Sequence, residues 1–223
     1  MNHHRSIGAA LVALLAQTLL GTAPALAKNR PRSFEFGIFG GTMMFDRPTL
    51  FVIGDDGDNG VLGGSEDAEF FGARLGYNFT PHWEVELTHD DSSTEDSTYD
   101  LVERDYISDH VTVNYNFLTT TERMIYPYVC GGIGQVVNKI TVLSNEYKDT
   151  STLWTVGGGF RLYFNKAVAL RVDGRWKTYS EQYDIPDPDA SNPSNSIPPI
   201  VIDDTFTNFE ITIGLHGLMG GKK

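Results

Sequence analysis

The sequence predicts an all-β chain that folds as an eight-stranded antiparallel up-and-down transmembrane β-barrel. Three observations predict it. In the run 160–176, Val168, Leu170, Val172, Gly174 and Trp176 take alternate positions, with Ala169, Arg171, Asp173 and Arg175 between them. Successive side chains of a strand point to opposite faces, so one face is apolar and the other charged. Second, eight such segments are joined by alternately long and short connections, as in a barrel whose two ends differ in loop length. Third, no apolar run of 18 residues follows the N-terminal region. A membrane span then has to be built from strands in a closed sheet.

The N-terminal region is basic at His3, His4 and Arg5 and apolar over 7–20. Gly21, Pro24 and the small-residue ending Ala25-Leu26-Ala27 follow. This is the pattern of a secretory signal peptide, residues 1–27, cut after Ala27. Residues 28–223 are then the barrel domain, with strands from about 34 to 217. The formal net charge of -12 argues against nucleic acid as a partner. Cys130 is the single cysteine, so no internal disulfide forms. It reads as a small packed residue with no basic neighbour in sequence to activate it.

The first strand covers 34–45. Phe34, Phe36 and Ile38 alternate with Glu35 and Gly37, but Phe39, Met43 and Phe45 blur the pattern and leave its register open. A segment rich in Gly, Asp and Asn covers 46–67. Strand two, 69–79, puts Phe71, Ala73, Leu75, Tyr77 and Phe79 opposite Arg74 and Asn78. Thr80-Pro81 turns into strand three, 82–89, with Trp83, Val85 and Leu87 opposite Glu84, Glu86 and Thr88. A polar loop, 90–103, leads to strand four, 104–117. There Ile107, Val111, Val113, Tyr115 and Phe117 oppose Ser108, His110, Thr112, Asn114 and Asn116. Asp109 falls on the apolar face at the loop end. Strand five, 125–141, is glycine-rich and ambiguous in register. A loop over 143–150 precedes strand six, 151–164. Asn165-Lys166 form a tight hairpin into strand seven, 167–179. The loop 180–204 precedes strand eight, 205–217, with Phe209, Ile211, Ile213 and Leu215 opposite Asn208, Glu210, Thr212 and His216.

Energetics decide which face meets lipid. With the apolar faces outward, Arg74, Arg161, Arg171 and Arg175 point inward with Glu84, Glu86, Asp173 and Glu210, an even match of charge. An eight-stranded barrel is just wide enough to be filled by side chains, so these groups can pair there. The inverted register would expose each midplane Arg to hydrocarbon at about 2–4 kcal/mol. These eight residues are therefore expected to form a structural charge network in the lumen. Phe79, Trp83, Phe117 and Phe164 beside the short turns, and Trp154 and Trp176 toward the other end, fit aromatic girdles at two interfaces.

The signal-like N-terminus, the eight strands, the segment Tyr126-Pro127-Tyr128-Val129-Cys130-Gly131-Gly132-Ile133-Gly134 and the segment Gly157-Gly158-Gly159-Phe160 resemble the small OmpA/OmpX-like outer-membrane β-barrel domains. The resemblance covers about 34–218. It implies a bacterial outer-membrane location, outer-membrane lipid and lipopolysaccharide as surroundings, and a monomer. Such barrels usually end in an aromatic residue, whereas this sequence ends Leu218-Met219-Gly220-Gly221-Lys222-Lys223.

Chemistry is weakly signalled. Ser108 and His110 share a face, but the sequence offers no dedicated acid to orient the histidine, and the order is the reverse of the His-x-Ser of a deacylase. The segment 55–60, Asp-Asp-Gly-Asp-Asn-Gly, departs from the EF-hand ligand order and reads as a solvated acidic loop. No cofactor or metal is expected. The stretches 46–67, 90–103 and 180–204 carry 18 of the 29 acidic residues, so negative charge gathers at one end. The expected function is non-enzymatic: a filled barrel serving envelope integrity, or surface interaction with an external ligand at those loops. A narrow pore for ions or small solutes and a lipid-modifying enzyme are the alternatives.

Overall fold

The computed structural model describes residues 31–45, 51–53, 60–62, 68–95, 102–117, 125–142, 145–165, 167–185 and 200–220. The segment read as a signal peptide and the Asp-rich stretch 54–59 lie outside the described residues. The strands are β1 (Ser33–Phe45), β2 (Phe51–Ile53), β3 (Gly60–Leu62), β4 (Ala68–Asn78) and β5 (Trp83–Glu95). They continue with β6 (Val102–Asn116), β7 (Ile125–Val142), β8 (Asn145–Tyr163), β9 (Val168–Ile185) and β10 (Ile200–Gly220). β1 and β4 to β10 make one closed barrel in which each strand runs antiparallel to both neighbours, while β2 and β3 pair apart from it. The expected eight-stranded up-and-down barrel is what forms. β1 closes on β10 through pairs such as Phe36 with Gly217, which leaves the barrel no free edge.

The register fixes the shape. A walk of paired residues from Glu35 passes Gly76, Glu86, Thr112, Gly132, Thr155, Lys177 and Asn208, and returns to β1 at Phe45, ten residues on. With ordinary strand spacing and rise, that stagger tilts the strands by about 40° from the barrel axis. Side chains of neighbouring strands therefore meet inside the lumen several residues out of step with the hydrogen-bonded rows.

Two short turns are held by side chains. The Thr80 hydroxyl accepts from the backbone N–H of His82 and Trp83, at 3.2 and 3.0 Å. The Asn165 side-chain oxygen accepts from the backbone N–H of Ala167 and Val168, at 2.8 and 2.9 Å. Both are local side-chain turns that Thr and Asn favour.

The strands outrun their expected bounds at the other end. The loop expected at 90–103 is β5 as far as Glu95 and β6 from Val102. The loop expected at 180–204 is β9 as far as Ile185 and β10 from Ile200. Most of 143–150 belongs to β8, and the long segment 46–67 holds the β2–β3 ribbon. The reason is physical: beyond the bilayer the ladder of backbone hydrogen bonds continues, but no lipid imposes an apolar face, so the alternation fades. β1 resolves with odd-numbered residues inward. Phe39 and Met43 are buried apolar members of the lumen, while Phe34, Phe36 and Ile38 face out. β7 turns Tyr126, Tyr128 and Cys130 inward and Ile125, Val129 and Ile133 outward.

Outside, the large apolar residues form a belt. Leu75, Leu87, Val111, Val113, Val129, Val156, Phe160, Ile211 and Ile213 are all exposed. Strand rise and tilt give this belt a height of roughly 20–25 Å, close to that of a membrane barrel's apolar band. Rings gather at the short-turn end, where the pairs Phe34–Tyr77, Tyr77–Phe79, Trp83–Tyr115 and Tyr115–Phe117 lie 4.8–5.2 Å apart. Trp176 and Phe209 pair at 4.8 Å toward the other end.

Candidate functional site: the lumen charge network

Inside the barrel, alternate residues of all eight strands converge. Six carboxylates, Glu35, Glu84, Glu86, Asp90, Asp173 and Glu210, are buried there with Arg74, Arg161, Arg171, Arg175, Lys177, His110 and His216. The structure brings together all eight charged residues expected in the lumen. It adds Glu35, Asp90 and Lys177, and the two histidines. Unpaired charges would be costly in such a site, so the pairing explains how this interior is tolerated.

The network has three tiers along the axis. Near the short turns, Arg161 is ion-paired with Glu84, lies 3.5 Å from Glu35, and donates to the Asn116 side-chain oxygen at 2.7 Å. His216 lies 2.9 Å from the same Glu35 oxygen. In the middle, Arg171 is ion-paired with Glu86, donates to Asp173 at 3.0 Å and to the Tyr128 hydroxyl at 2.7 Å. Arg74 pairs with Asp173 from the opposite wall and donates to Thr212 at 3.1 Å; Thr212 in turn donates to Asp173. Arg175 reaches Glu86 at 2.8 Å. Toward the long loops, Lys177 donates to both oxygens of Asp90 at 2.9 Å and sits 2.7 Å from Glu210.

Aromatic faces pack against the guanidinium groups. The Tyr128 ring lies 4.5 Å from the Arg171 guanidinium and 4.9 Å from that of Arg161; Phe39 lies 3.8 Å from that of Arg74. Such contacts suit Arg, whose flat cation is weakly hydrated. Inward glycines make the room. A Cβ at Gly157 would meet the backbone carbonyl oxygen of Gly174 at 2.3 Å and Cα and Cγ of Arg175 at 2.9 Å, so only glycine lets the β9 backbone and the Arg175 stem pack this close to β8.

Apolar side chains cover the network at both ends. Phe39, Met43, Ala68, Phe70, Tyr106, Val136, Leu153, Tyr179 and Phe206 form a buried cluster on the long-loop side. Tyr126, Tyr163, Ala169 and Leu218 form a smaller one on the short-turn side.

The sequence offered no acid for Ser108 and His110, but Asp90 supplies one from β5. The resulting geometry does not set up a nucleophile. Ser108 Oγ donates to Asp90 at 2.8 Å, and Lys177 donates to that same Oγ at 3.0 Å. His110 Nε2 faces the Arg175 guanidinium at 3.1 Å, which assigns the ring proton to Nδ1, the nitrogen 3.4 Å from Ser108. The nitrogen beside the hydroxyl thus carries a proton rather than accepting one. Among the described residues, no group of three His, Cys, Asp or Glu side chains could hold a metal ion. Cys130 is buried in the wall.

A sequence model of a family described as outer membrane protein beta-barrel domain matches residues 12–216. Among solved structures, the chain is similar to the outer membrane protein OprG of Pseudomonas aeruginosa, at 13% identity and a TM-score of 0.59, covering 88% of this chain and 100% of that one. It is similar to Neisserial surface protein A at 11% identity and a TM-score of 0.55, covering 83% and 96% of the two chains. It is also similar to the N-terminal beta-barrel domain of Pseudomonas aeruginosa OprF, at 14% identity and a TM-score of 0.51, covering 85% and 99%. At such identities the likeness is one of fold. No curated protein matches the sequence.

Proposed function

Since this chain belongs to the outer membrane protein beta-barrel domain family and resides in the bacterial outer membrane, we propose that it works there as a non-enzymatic barrel with a plugged lumen. It serves envelope integrity, or surface interaction through the acidic loops at its long-loop end. One observation carries this reading. The inward charges are tied into pairs that cross the lumen, such as Arg74 with Asp173 and Arg171 with Glu86. Apolar clusters cover that network above and below. A solute path needs continuous water along the axis, and the charges midway along this axis are instead held in ion pairs.

The state of Ser108 and His110 supports the non-enzymatic half of the proposal, because serine catalysis requires the hydroxyl to donate to the histidine base. The lumen charges act as structure: they fix the register of eight strands by linking walls far apart in sequence. The barrel is a monomer among outer-membrane lipid and lipopolysaccharide. Its long loops face outward, where they meet an external ligand.

The test separates barrel from loops. The loop segments 96–101 and 186–199 are replaced by short Gly-Asn turns, and the gene is returned to a deletion strain. Insertion is followed by outer-membrane fractionation and the heat-modifiability gel shift, and envelope function by detergent sensitivity and surface binding. The expected result is an inserted barrel that restores detergent resistance but not surface binding. A deletion strain indistinguishable from its parent in both assays would contradict the proposal.

A further inference from the structure

Around most of the barrel the loop-end edge of the lipid-facing belt is closed by large apolar residues: Phe71, Ile133, Trp154, Trp176 and Ile211, all exposed. β5 and β6 break that edge. Once the strand tilt is allowed for, His89 and Asp109 lie at the height of those residues. They form an outward cross-strand pair with His89 Nδ1 2.8 Å from Asp109 Oδ1, and their side chains are 58% and 47% exposed. The polar row continues to Gln135, paired with Asp109 across β7. Asp91 lies one outward position above His89 and pairs with Phe71, a residue 71% exposed. Ala73, small, pairs with His89 on the other side. Ionisable side chains on a lipid-facing wall are costly and mark function rather than filler.

The geometry points to this notch as a binding site for the sugar headgroup of an outer-leaflet glycolipid. Its chemistry suits hydroxyls. Carboxylate oxygens of Asp91 and Asp109 accept from sugar O–H groups, the Gln135 amide both donates and accepts, and His89 offers Nε2 while Asp109 orients the ring through Nδ1. The flat Phe71 ring offers an apolar face to the C–H side of a sugar. Phosphate does not suit it. Among the described residues, no Lys or Arg faces outward on β4, β5 or β6, whereas Glu69, Asp91, Asp105 and Asp109 do; the outward cation of β7, Lys139, lies four residues beyond Gln135 and is paired with Asp105. A second copy brought against this face would oppose carboxylate to carboxylate. The inference rests on the reading that the long-loop end faces outward.

The experiment uses the full-length protein in detergent micelles, with folding of every variant checked by heat-modifiability. Native mass spectrometry follows binding of lipid A, of lipid A stripped of its phosphates, and of phosphatidylglycerol, each with and without EDTA. The two sugar lipids are expected to bind alike, to ignore EDTA and to bind more tightly than phosphatidylglycerol. Asp109→Asn and Gln135→Leu should each weaken sugar-lipid binding about tenfold, the effect of losing one hydrogen bond to a charged or orienting group. The near-isosteric Asp109→Asn keeps the test valid if Gln135→Leu fails to fold. Loss of binding on phosphate removal or on adding EDTA overturns the proposal. So does equal binding of phosphatidylglycerol, indifference to both substitutions, or a dimer as the main bound species. Protease cleavage of the long loops on intact cells tests orientation separately. Loops cut from outside without sugar-dependent binding sink the site alone; loops protected from outside sink the orientation it rests on.

Discussion

Lys177 of β9 donates to both carboxylate oxygens of Asp90 of β5, each at 2.9 Å, across the lumen of the barrel. The pair joins strands that are not neighbours in the sheet, and Glu210 lies on the same ammonium at 2.7 Å. One cation therefore neutralises two buried acids at the loop end of the network.

Lys177→Met should be among the most damaging single lumen changes, because it leaves Asp90 and Glu210 buried without their partner. The expected loss is about 3–5 kcal/mol. Reversible urea unfolding in lipid vesicles, followed by tryptophan fluorescence, measures it. The double variant Lys177→Met with Asp90→Asn should recover part of that loss, since one of the stranded charges is gone. A double variant no more stable than the single one would count against direct coupling of the pair.

Beside β9, the strand β8 depends on missing side chains. Gly157→Val should force the β9 backbone at Gly174 and Arg175 away and destabilise the barrel by about 1–3 kcal/mol in the same unfolding experiment. Gly131→Ala is the control: the new Cβ would face outward, with its nearest neighbour, the Thr155 carbonyl oxygen, 3.9 Å away. Its effect should stay within about 0.5 kcal/mol. Equal losses at both glycines would mean that close packing against β9, at Gly174 and Arg175, is not what selects glycine there.

Much of this was legible in the residues, for identifiable reasons. β4, the start of β5, β9 and β10 alternate cleanly because lipid demands apolar residues on one side while the lumen takes polar ones. Arg74, Glu84, Glu86, Arg161, Arg171, Asp173, Arg175 and Glu210 could thus be placed together. Glu35 was missed because Phe39 and Met43 put apolar groups on the lumen side of β1 and hid its register. Asp90 was missed because a run of Asp and Ser reads as a loop, although it continues the inward parity of Glu84 and Glu86. Lys177 carried a usable signal, the parity of Arg171, Asp173 and Arg175, two residues past the last of them. The glycines of β7 leave no side chain to mark either face, so its register came only from pairing. Which acid meets which base was not legible, because the stagger of the barrel decides it.

The lipid-facing side predicts a depth dependence. Val172 points outward near mid-belt, so Val172→Arg should cost about 2–4 kcal/mol, whereas Thr178→Arg, at the loop-end rim of the same strand, should cost about 0–1 kcal/mol. Unfolding free energies in vesicles give both values. Similar costs at the two positions would contradict the placement of the bilayer on β9.

The plugged lumen is tested most directly by single-channel recording of the full-length protein in planar bilayers. The wild-type barrel should give no resolved openings, because Arg171 with Glu86 and Arg74 with Asp173 close its middle. Steady ion-conducting openings of the wild-type protein, abolished by boiling and restored on refolding, would contradict it.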